Sequence, residues 1–195
     1  AQSVDEYDFT YPMRHWMRGF ELGLDKRMTG IFVGSTIHKE QLRQAGFEAP
    51  IHVVSLPIHK ELTEAKLKDI VIERKPCNVI YSSRLDKEKN PFFMLAVATL
   101  GKEFKSMLPG VIDAMEELAK RQPRFKLLKN LTKQEYYSEL ASARIQFNCA
   151  LQDYVSWTVL EATTFGCDLV YPNFRSFPEF IPPNRLYTAF NVNSA

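Results

Sequence analysis

Apolar positions along the chain switch repeatedly between helical and strand spacing. Residues 1–12 are polar and aromatic without a clear period and read as a tail or linker. Over residues 13–28, Trp16, Met17, Phe20 and Leu24 recur at helical intervals, which predicts a helix. An apolar run at 30–34 predicts a short buried strand. Ser35 or Thr36 then supplies an N-cap for a helix over 37–45, and Gly46 is its natural stop. Residues 51–54 predict a second strand, closed by Leu56 and Pro57, so that 30–57 reads as one βαβ unit.

Beyond a charged stretch at 60–76, with a short amphipathic part, residues 78–81 predict a strand. A polar loop over 82–90 follows, and Pro91 opens a helix. That helix, 92–100, runs straight into a further helical pattern over 111–120 with no strand between them. A doubly wound sheet wants a strand there, so the pattern predicts residues missing between Leu100 and Gly101, either deleted or disordered. Residues 125–128 read as a short strand, and Thr132 with Glu135 forms a capping box opening a helix to 143. Strand, helix and strand follow at 145–150, 159–165 and 169–171. A short helix begins at Pro178 and is stopped by Pro182 and Pro183. Strands alternating with helices predict an α/β fold built on a parallel sheet with right-handed crossovers.

Composition narrows the classes. At 195 residues the chain has material for one sizeable domain or a domain and a half. With 45% hydrophobic and 25% charged residues it is ordinary globular material, and a net charge of +2 neither requires nor excludes a polyanionic partner. Three cysteines, Cys77, Cys149 and Cys167, are too few and scattered for a disulfide framework and read as buried free thiols. No apolar run approaches a bilayer span, and the first residues carry no signal-peptide pattern. The expectation is a soluble, cytoplasmic protein without a transmembrane segment.

Three constellations could carry chemistry. Arg84 leaves the end of a predicted strand, and Lys89 follows just before a helix start. Two cations beside an amide-rich helix end suit a diphosphate, through Coulomb attraction and charge-assisted hydrogen bonds. The alternative is a solvated turn in which Asp86 and Glu88 neutralise the lysines. The second constellation is a pair of acids, Asp153 and Glu161, with seven residues between them across a strand-to-helix junction. One carboxylate falls on the loop and the other one turn inside the helix, at the carboxyl edge where open α/β sheets bind ligands. On the functional reading Glu161 accepts hydrogen bonds from a ribose diol and Asp153 faces sugar hydroxyls. Backbone N–H groups around Ser156, Trp157 and Thr158 then hold the phosphates. On the bland reading Thr158 to Glu161 is a capping box and Asp153 a turn residue. The third is the turn with Ser176, Pro178 and Glu179, which is otherwise a plain helix start with an acid in its first turn. His38, His52 and His59 pair with no acid at metal-ligand spacing, and no metal site is expected.

The order of these motifs is more specific than any one of them. Arg84 and Lys89 before Asn90-Pro91, then Asp153 and Glu161 within Leu160-Glu161-Ala162, then Gly166-Cys167 and Phe177-Pro178-Glu179, resemble the C-terminal, nucleotide-sugar-binding half of retaining GT-B glycosyltransferases of the glycogen-synthase-like family 4 type. The resemblance covers roughly 30–183. It is loosely similar to the tRNA-queuosine mannosyltransferase branch, through Lys89-Asn90-Pro91 and the run from Phe177 to Pro182.

The resemblance implies a Rossmann-like parallel sheet with helices on both faces, the donor-binding half of a GT-B fold. Residues 1–29 would be a linker and the last helix of a mostly absent N-terminal acceptor domain, and 30–195 the donor domain. It implies a hexosyl- or pentosyltransferase. Arg84 and Lys89 would hold the donor diphosphate, Glu161 its ribose, and Asp153 would approach the transferred sugar. The donor would be a UDP- or GDP-sugar used without a cofactor. The acceptor would be a glycan, a lipid-linked saccharide or a modified nucleic-acid base. Departures fall around the sugar pocket: the first acid is usually Glu, Tyr154-Val155-Ser156 replaces Gly-Phe-Gly, and Ser176-Phe177 replaces Gly-Gly. A nucleotide- or sugar-binding module without catalysis is the alternative. A nucleic-acid-binding domain rests only on the basic run 120–124.

Overall fold

A computed structural model describes residues 2–55, 61, 65, 68–99 and 110–195. The turn at Leu56 and Pro57, much of the charged stretch after it, and the predicted break between Leu100 and Gly101 lie outside the described residues. The strands pair in two parallel sheets rather than one.

The first sheet is the predicted βαβ unit. Strand β1 (Ile31–Val33) pairs in parallel with β2 (Ile51–Val53), Ile31 beside Ile51 and Val33 beside Val53. Between them runs α2 (Thr36–Gln44), which follows α1 (Arg14–Asp25). The Ser35 hydroxyl caps α2 by accepting from the His38 N–H at 3.4 Å. Gly46 follows in a left-handed conformation, φ 93°, which a residue with Cβ adopts at a cost. Val33, Leu42, Phe47 and Ile51 form the unit's own small core.

The second sheet has four parallel strands in the order β3 (Lys75–Ile80), β4 (Ala143–Phe147), β5 (Asp168–Pro172) and β6 (Leu186–Tyr187). Its helices are α3 (Pro91–Ala98), α4 (Val111–Arg121), α5 (Lys133–Ser142) and α6 (Trp157–Thr164). They flank the sheet in separate apolar clusters. Met94, Leu95, Met115 and Leu118 of α3 and α4 pack with Phe147 and Tyr187. Tyr137, Leu140 and Ala141 of α5 pack with Ala162, Phe165 and Cys167. The capping box of α5 is complete: the Glu135 N–H donates to the Thr132 hydroxyl and the Glu135 carboxylate accepts from the Thr132 N–H. Because all four strands run the same way, the loops after β3, β4 and β5 emerge at one edge. Among the described residues no helix is long and apolar enough to cross a membrane.

Several expectations are corrected. Residues 125–128 form no strand; Phe125 and Leu127 pack against the α3 and α4 cluster, but no neighbouring strand pairs with them. Strand β3 begins earlier than predicted, at Lys75, because it is the sheet's edge, where Pro76 can sit without a ladder bond. Cys77 on that edge is exposed, whereas Cys149 and Cys167 are buried as expected. The short helix after Pro178 is a single 3-10 turn, Phe177–Glu179, and β6 carries too few residues for a periodic signal.

Residues 2–13 are not a loose tail. They form two 3-10 turns, Gln2–Val4 and Tyr11–Met13, with Ser3, Asp5 and Asp8 buried. Asp5 and Asp8 cap their own turns, Asp5 accepting from the Tyr7 N–H at 2.9 Å and Asp8 from the Thr10 N–H at 2.8 Å. Helix α1 turns most of its apolar residues outward: Trp16 (71% exposed), Phe20 (70%) and Leu24 face away, Leu22 packs on the first sheet's core, and Asp25 is the buried residue.

The two sheets meet at the end of β1. Gly34 lies against Val155, so that a Cβ there would overlap Val155 Cγ2. His38 stacks on Tyr154 with ring centroids 3.7 Å apart. Gly34→Ala is therefore expected to destabilise the fold by about 1–3 kcal/mol through overpacking. Adding Val155→Ala should recover most of that loss. Thermal unfolding of the two single variants and the double variant checks this, and strictly additive effects would refute the contact.

Candidate functional site

The site is assembled from the loops after β3 and β4. The first carries Arg84 and Lys89 and is closed by Asn90 at φ 53°, a left-handed residue that turns the chain into Pro91 at the start of α3. Two backbone contacts dock it on its neighbour. The Leu151 N–H donates to the Glu88 carbonyl at 2.7 Å and the Cys149 thiol to the Lys89 carbonyl at 3.5 Å, while within the loop Tyr81 donates its hydroxyl to that same carbonyl at 2.8 Å. Lys89 and Asp153, distant in sequence, thereby come together.

Lys89 is largely buried, its side chain 12% exposed. Its ammonium donates to the Gln152 carbonyl at 2.8 Å and lies 3.6 Å from Asp153 Oδ2. Burial pushes the Asp153 carboxyl above its ordinary value, while Lys89, Ser156 and Arg84 pull the other way. The Asp153 carbonyl in turn accepts from the Ser176 hydroxyl, so the turn after β5 holds the acid loop in place.

Arg84 is the exposed member, with 65% of its side chain in solvent. It pairs with Asp86 at 3.1 Å and with buried Glu88 at 3.0 Å. The acids expected to neutralise the lysines thus serve Arg84, and Lys89 goes to Asp153. Arg84 still acts on Asp153 through its charge.

Helix α6 starts at Trp157 with Ser156 as N-cap, and Ser156 makes no capping hydrogen bond. Its hydroxyl instead lies 2.7 Å from that of Thr158, which is 3.3 Å from the Tyr171 hydroxyl. The first turn of α6 therefore presents N–H groups that its cap does not engage. Trp157 is exposed beside them.

Glu161 is not in a capping box. The helix begins at Trp157, so Glu161 falls one turn inside and faces the start of α5. There it accepts from Lys133, from the Tyr136 hydroxyl at 2.9 Å and from the Tyr137 hydroxyl at 3.3 Å. Burial works to lower the Lys133 ammonium, but Glu161 outweighs it and holds Lys133 above its ordinary value. Tyr136 also interacts with Ser82, whose hydroxyl accepts from Gln146 Nε2 at 3.4 Å, and this links Glu161 to the loop of Arg84.

The two acids thus hold separate cations. Sequence reasoning brought Arg84, Lys89, Asp153, Ser156, Trp157, Thr158 and Glu161 to one sheet edge but missed Lys133, Tyr136 and Tyr137. Those three sit in an ordinary capped helix and carry no motif of their own. Glu179, read as a plain helix-start acid, reaches the other sheet, where its carboxylate accepts from the Thr36 N–H at 2.7 Å and the Ile37 N–H at 3.0 Å. It caps α2 across the junction. Cys149 lies under the loop of Lys89, where burial pushes its thiol up to about 12, so it stays protonated near neutral pH. Among the described residues no three His, Cys, Asp or Glu side chains are grouped to hold a metal ion.

Compared with known proteins, the sequence matches no family model and no curated protein. Its fold does match solved structures. Sucrose-phosphate synthase from Thermosynechococcus elongatus is 14% identical, with a TM-score of 0.67 over 91% of this chain and 49% of that one. The pneumococcal O-GlcNAc transferase GtfA, solved with UDP and GlcNAc, is 18% identical, with a TM-score of 0.62 over 88% of this chain and 35% of that one. A glycosyltransferase from Rickettsia africae is 13% identical, with a TM-score of 0.62 over 91% of this chain and 54% of that one. The chain thus spans about half the length of these proteins or less. What they share with it is the fold: parallel sheets flanked by helices, matching the Rossmann-like half of a GT-B glycosyltransferase.

Proposed function

We propose that the protein is a retaining glycosyltransferase, moving a sugar from a nucleotide-diphosphate sugar to an acceptor. The observation that carries this reading is the meeting of Lys89 and Asp153 at the carboxyl edge of the parallel sheet, beside Arg84 and the uncapped start of α6. The fold it shares with sucrose-phosphate synthase and with a transferase solved with UDP and GlcNAc supports it.

In this reading Lys89, Arg84 and the N–H groups of Trp157 and Thr158 receive the donor diphosphate. A buried ammonium acts in a low dielectric, where its pull on charge building on the leaving diphosphate is strongest. The bond from the sugar's anomeric carbon to the diphosphate oxygen breaks. A bond from that carbon to the acceptor forms on the same face, and the departing diphosphate takes the acceptor proton. Glu161 accepts hydrogen bonds from the ribose diol, displacing Lys133, the more exposed of its partners. Asp153 approaches the sugar. The donor is a UDP- or GDP-sugar, and the acceptor is a glycan, a lipid-linked saccharide or a modified nucleic-acid base.

A second reading, a nucleotide- or sugar-binding module without catalysis, has its own support: Arg84, Lys89 and Glu161 already have partners within the chain. Calorimetry with UDP- and GDP-sugars followed by a transfer assay separates the two. Binding with turnover supports the enzyme, and binding without turnover the module.

Lys89→Ala is expected to weaken donor binding by about tenfold to a hundredfold, the worth of one or two charge-assisted hydrogen bonds. Arg84→Ala should slow transfer while the circular dichroism spectrum stays native. Donor affinity unchanged in both variants would sink the assignment.

The pH dependence has a definite sign. Asp153 must be ionised to hold Lys89, and burial holds its carboxyl above the ordinary aspartate value, so transfer should fall on acidification at a higher pH than an exposed aspartate would give. In Asp153→Asn that acid limb should vanish from the pH–rate profile. An unchanged limb would assign it to another group.

A further inference from the structure

Glu161 is well supplied with donors before any ligand reaches it. Its Oε1 accepts from Lys133 and, at 3.3 Å, from the Tyr137 hydroxyl, and its Oε2 accepts from the Tyr136 hydroxyl at 2.9 Å. A carboxylate offers about four acceptor positions, two on each oxygen. One position, on Oε2, is left without a donor among the described residues. A single ligand hydroxyl can use it with nothing displaced. A vicinal diol that spans both oxygens needs a position on Oε1, where one donor must leave.

The two donors on Oε1 are not equally able to leave. Tyr137 is 6% exposed and packs on Phe165 with ring centroids 5.2 Å apart. Lys133 has 56% of its side chain in solvent. Its backbone is fixed, because it opens α5 directly after the Thr132 cap, so its side chain is the part with room to move. The rings of Tyr136 and Tyr137 lie 4.9 and 4.7 Å from its ammonium and attract the charge independently of the carboxylate. Solvent and these rings can receive the ammonium once Glu161 is taken.

Displacement changes what a ligand gains at this carboxylate. A single hydroxyl adds one hydrogen bond and leaves Lys133 in place. A diol adds two, and the second is offset by the loss of the Lys133 ion pair. The exchange is confined to one side chain, since the tyrosines on either oxygen stay where they are.

We infer that Lys133 is a specificity-determining residue of the donor site, a built-in competitor that a ribose diol displaces from Glu161 and a single hydroxyl does not. This rests on Glu161 being the ribose ligand. Lys133 then sets how strongly a ribonucleotide is preferred over its 2′-deoxy counterpart, and holds that preference below what two hydroxyls alone would give.

Calorimetric titrations of the protein with UDP and GDP, each beside its 2′-deoxy counterpart, test this. In Lys133→Met the preference for the ribonucleotide should rise about threefold to tenfold, the worth of one hydrogen bond. Lys133→Arg, which keeps a cation for Glu161, should leave the preference near that of the wild type. Any pull of the Lys133 charge on the diphosphate acts on both nucleotides of a pair alike, so their ratio isolates the exchange at Glu161. A ratio unchanged or lowered in Lys133→Met, or raised equally in Lys133→Arg, would overturn the competitor while the nucleotide still binds. Failure of both UDP and GDP to bind the wild-type protein would overturn the donor site and the competitor together.

Discussion

The organisation of the sheet edge depends on Lys89. A buried ammonium is costly unless its charge and its N–H groups are met, and here the β4 loop meets them. Gln152 contributes a carbonyl and Asp153 a carboxylate. Once that is done, the rest of the edge has little freedom. Backbone contacts at Glu88 and Lys89 fix the β3 loop on its neighbour. Asp153 is then carried to a position where burial works against its own charge and Lys89 offsets the penalty. Neither residue is well placed without the other, so the cation and the acid are one structural unit as well as one candidate binding unit.

The same loop is braced from the opposite side by the β1–β2 unit. Tyr154 stacks on His38, Val155 fills the space left by the missing side chain of Gly34, and Ser176 holds the Asp153 carbonyl. Glu179 completes the junction by capping α2, which gives the positive end of a short helix a fixed carboxylate. The departures from the Gly-rich family pattern fall on these residues. Tyr154 puts a ring where the pattern has a glycine, and Val155 stands in place of its Phe; both reach the first sheet and tie the two together. A change in this loop is thereby coupled to the packing of the β1–β2 unit, so substitutions at 154 or 155 act on the junction as well as on the loop.

Much of this was legible in the chain. The caps at Ser35 and Thr132 and the Pro91 helix start fall where local rules put them, as do the helix and strand after Asp153, while the strand before it runs 143–147 rather than 145–150. What was not legible is whatever depends on distant partners. Lys133 and Tyr136 reach Glu161 only because α5 packs beside α6, and nothing near either residue signals it. Glu179 finds its partners 142 and 143 residues away. Residues 125–128 have strand composition but no strand beside them, and β-propensity without a partner gives no ladder.

Helix α1 shows the same limit in its sharpest form. Its period is evident, but periodicity gives only the presence of two faces, and here the one bearing Trp16, Phe20 and Leu24 points out while Leu22 alone packs on the core. The reason lies in what the helix packs against. Asp25 accepts from the Glu48 N–H at 2.8 Å and the Ala49 N–H at 3.2 Å, and Arg18 donates to the Ala45 carbonyl at 3.0 Å. These are a carbonyl at the C-terminus of α2, where helix geometry leaves carbonyls without partners, and two amides of the turn beyond it that no strand or helix pairs. A polar surface of that kind is better met by a carboxylate and a guanidinium than by Trp16 or Phe20, since an apolar side chain would leave each group buried and unpaired. The polar part of the inward face of α1 is thus set by backbone groups at and just beyond the end of α2, with Leu22 packed on the core beside it.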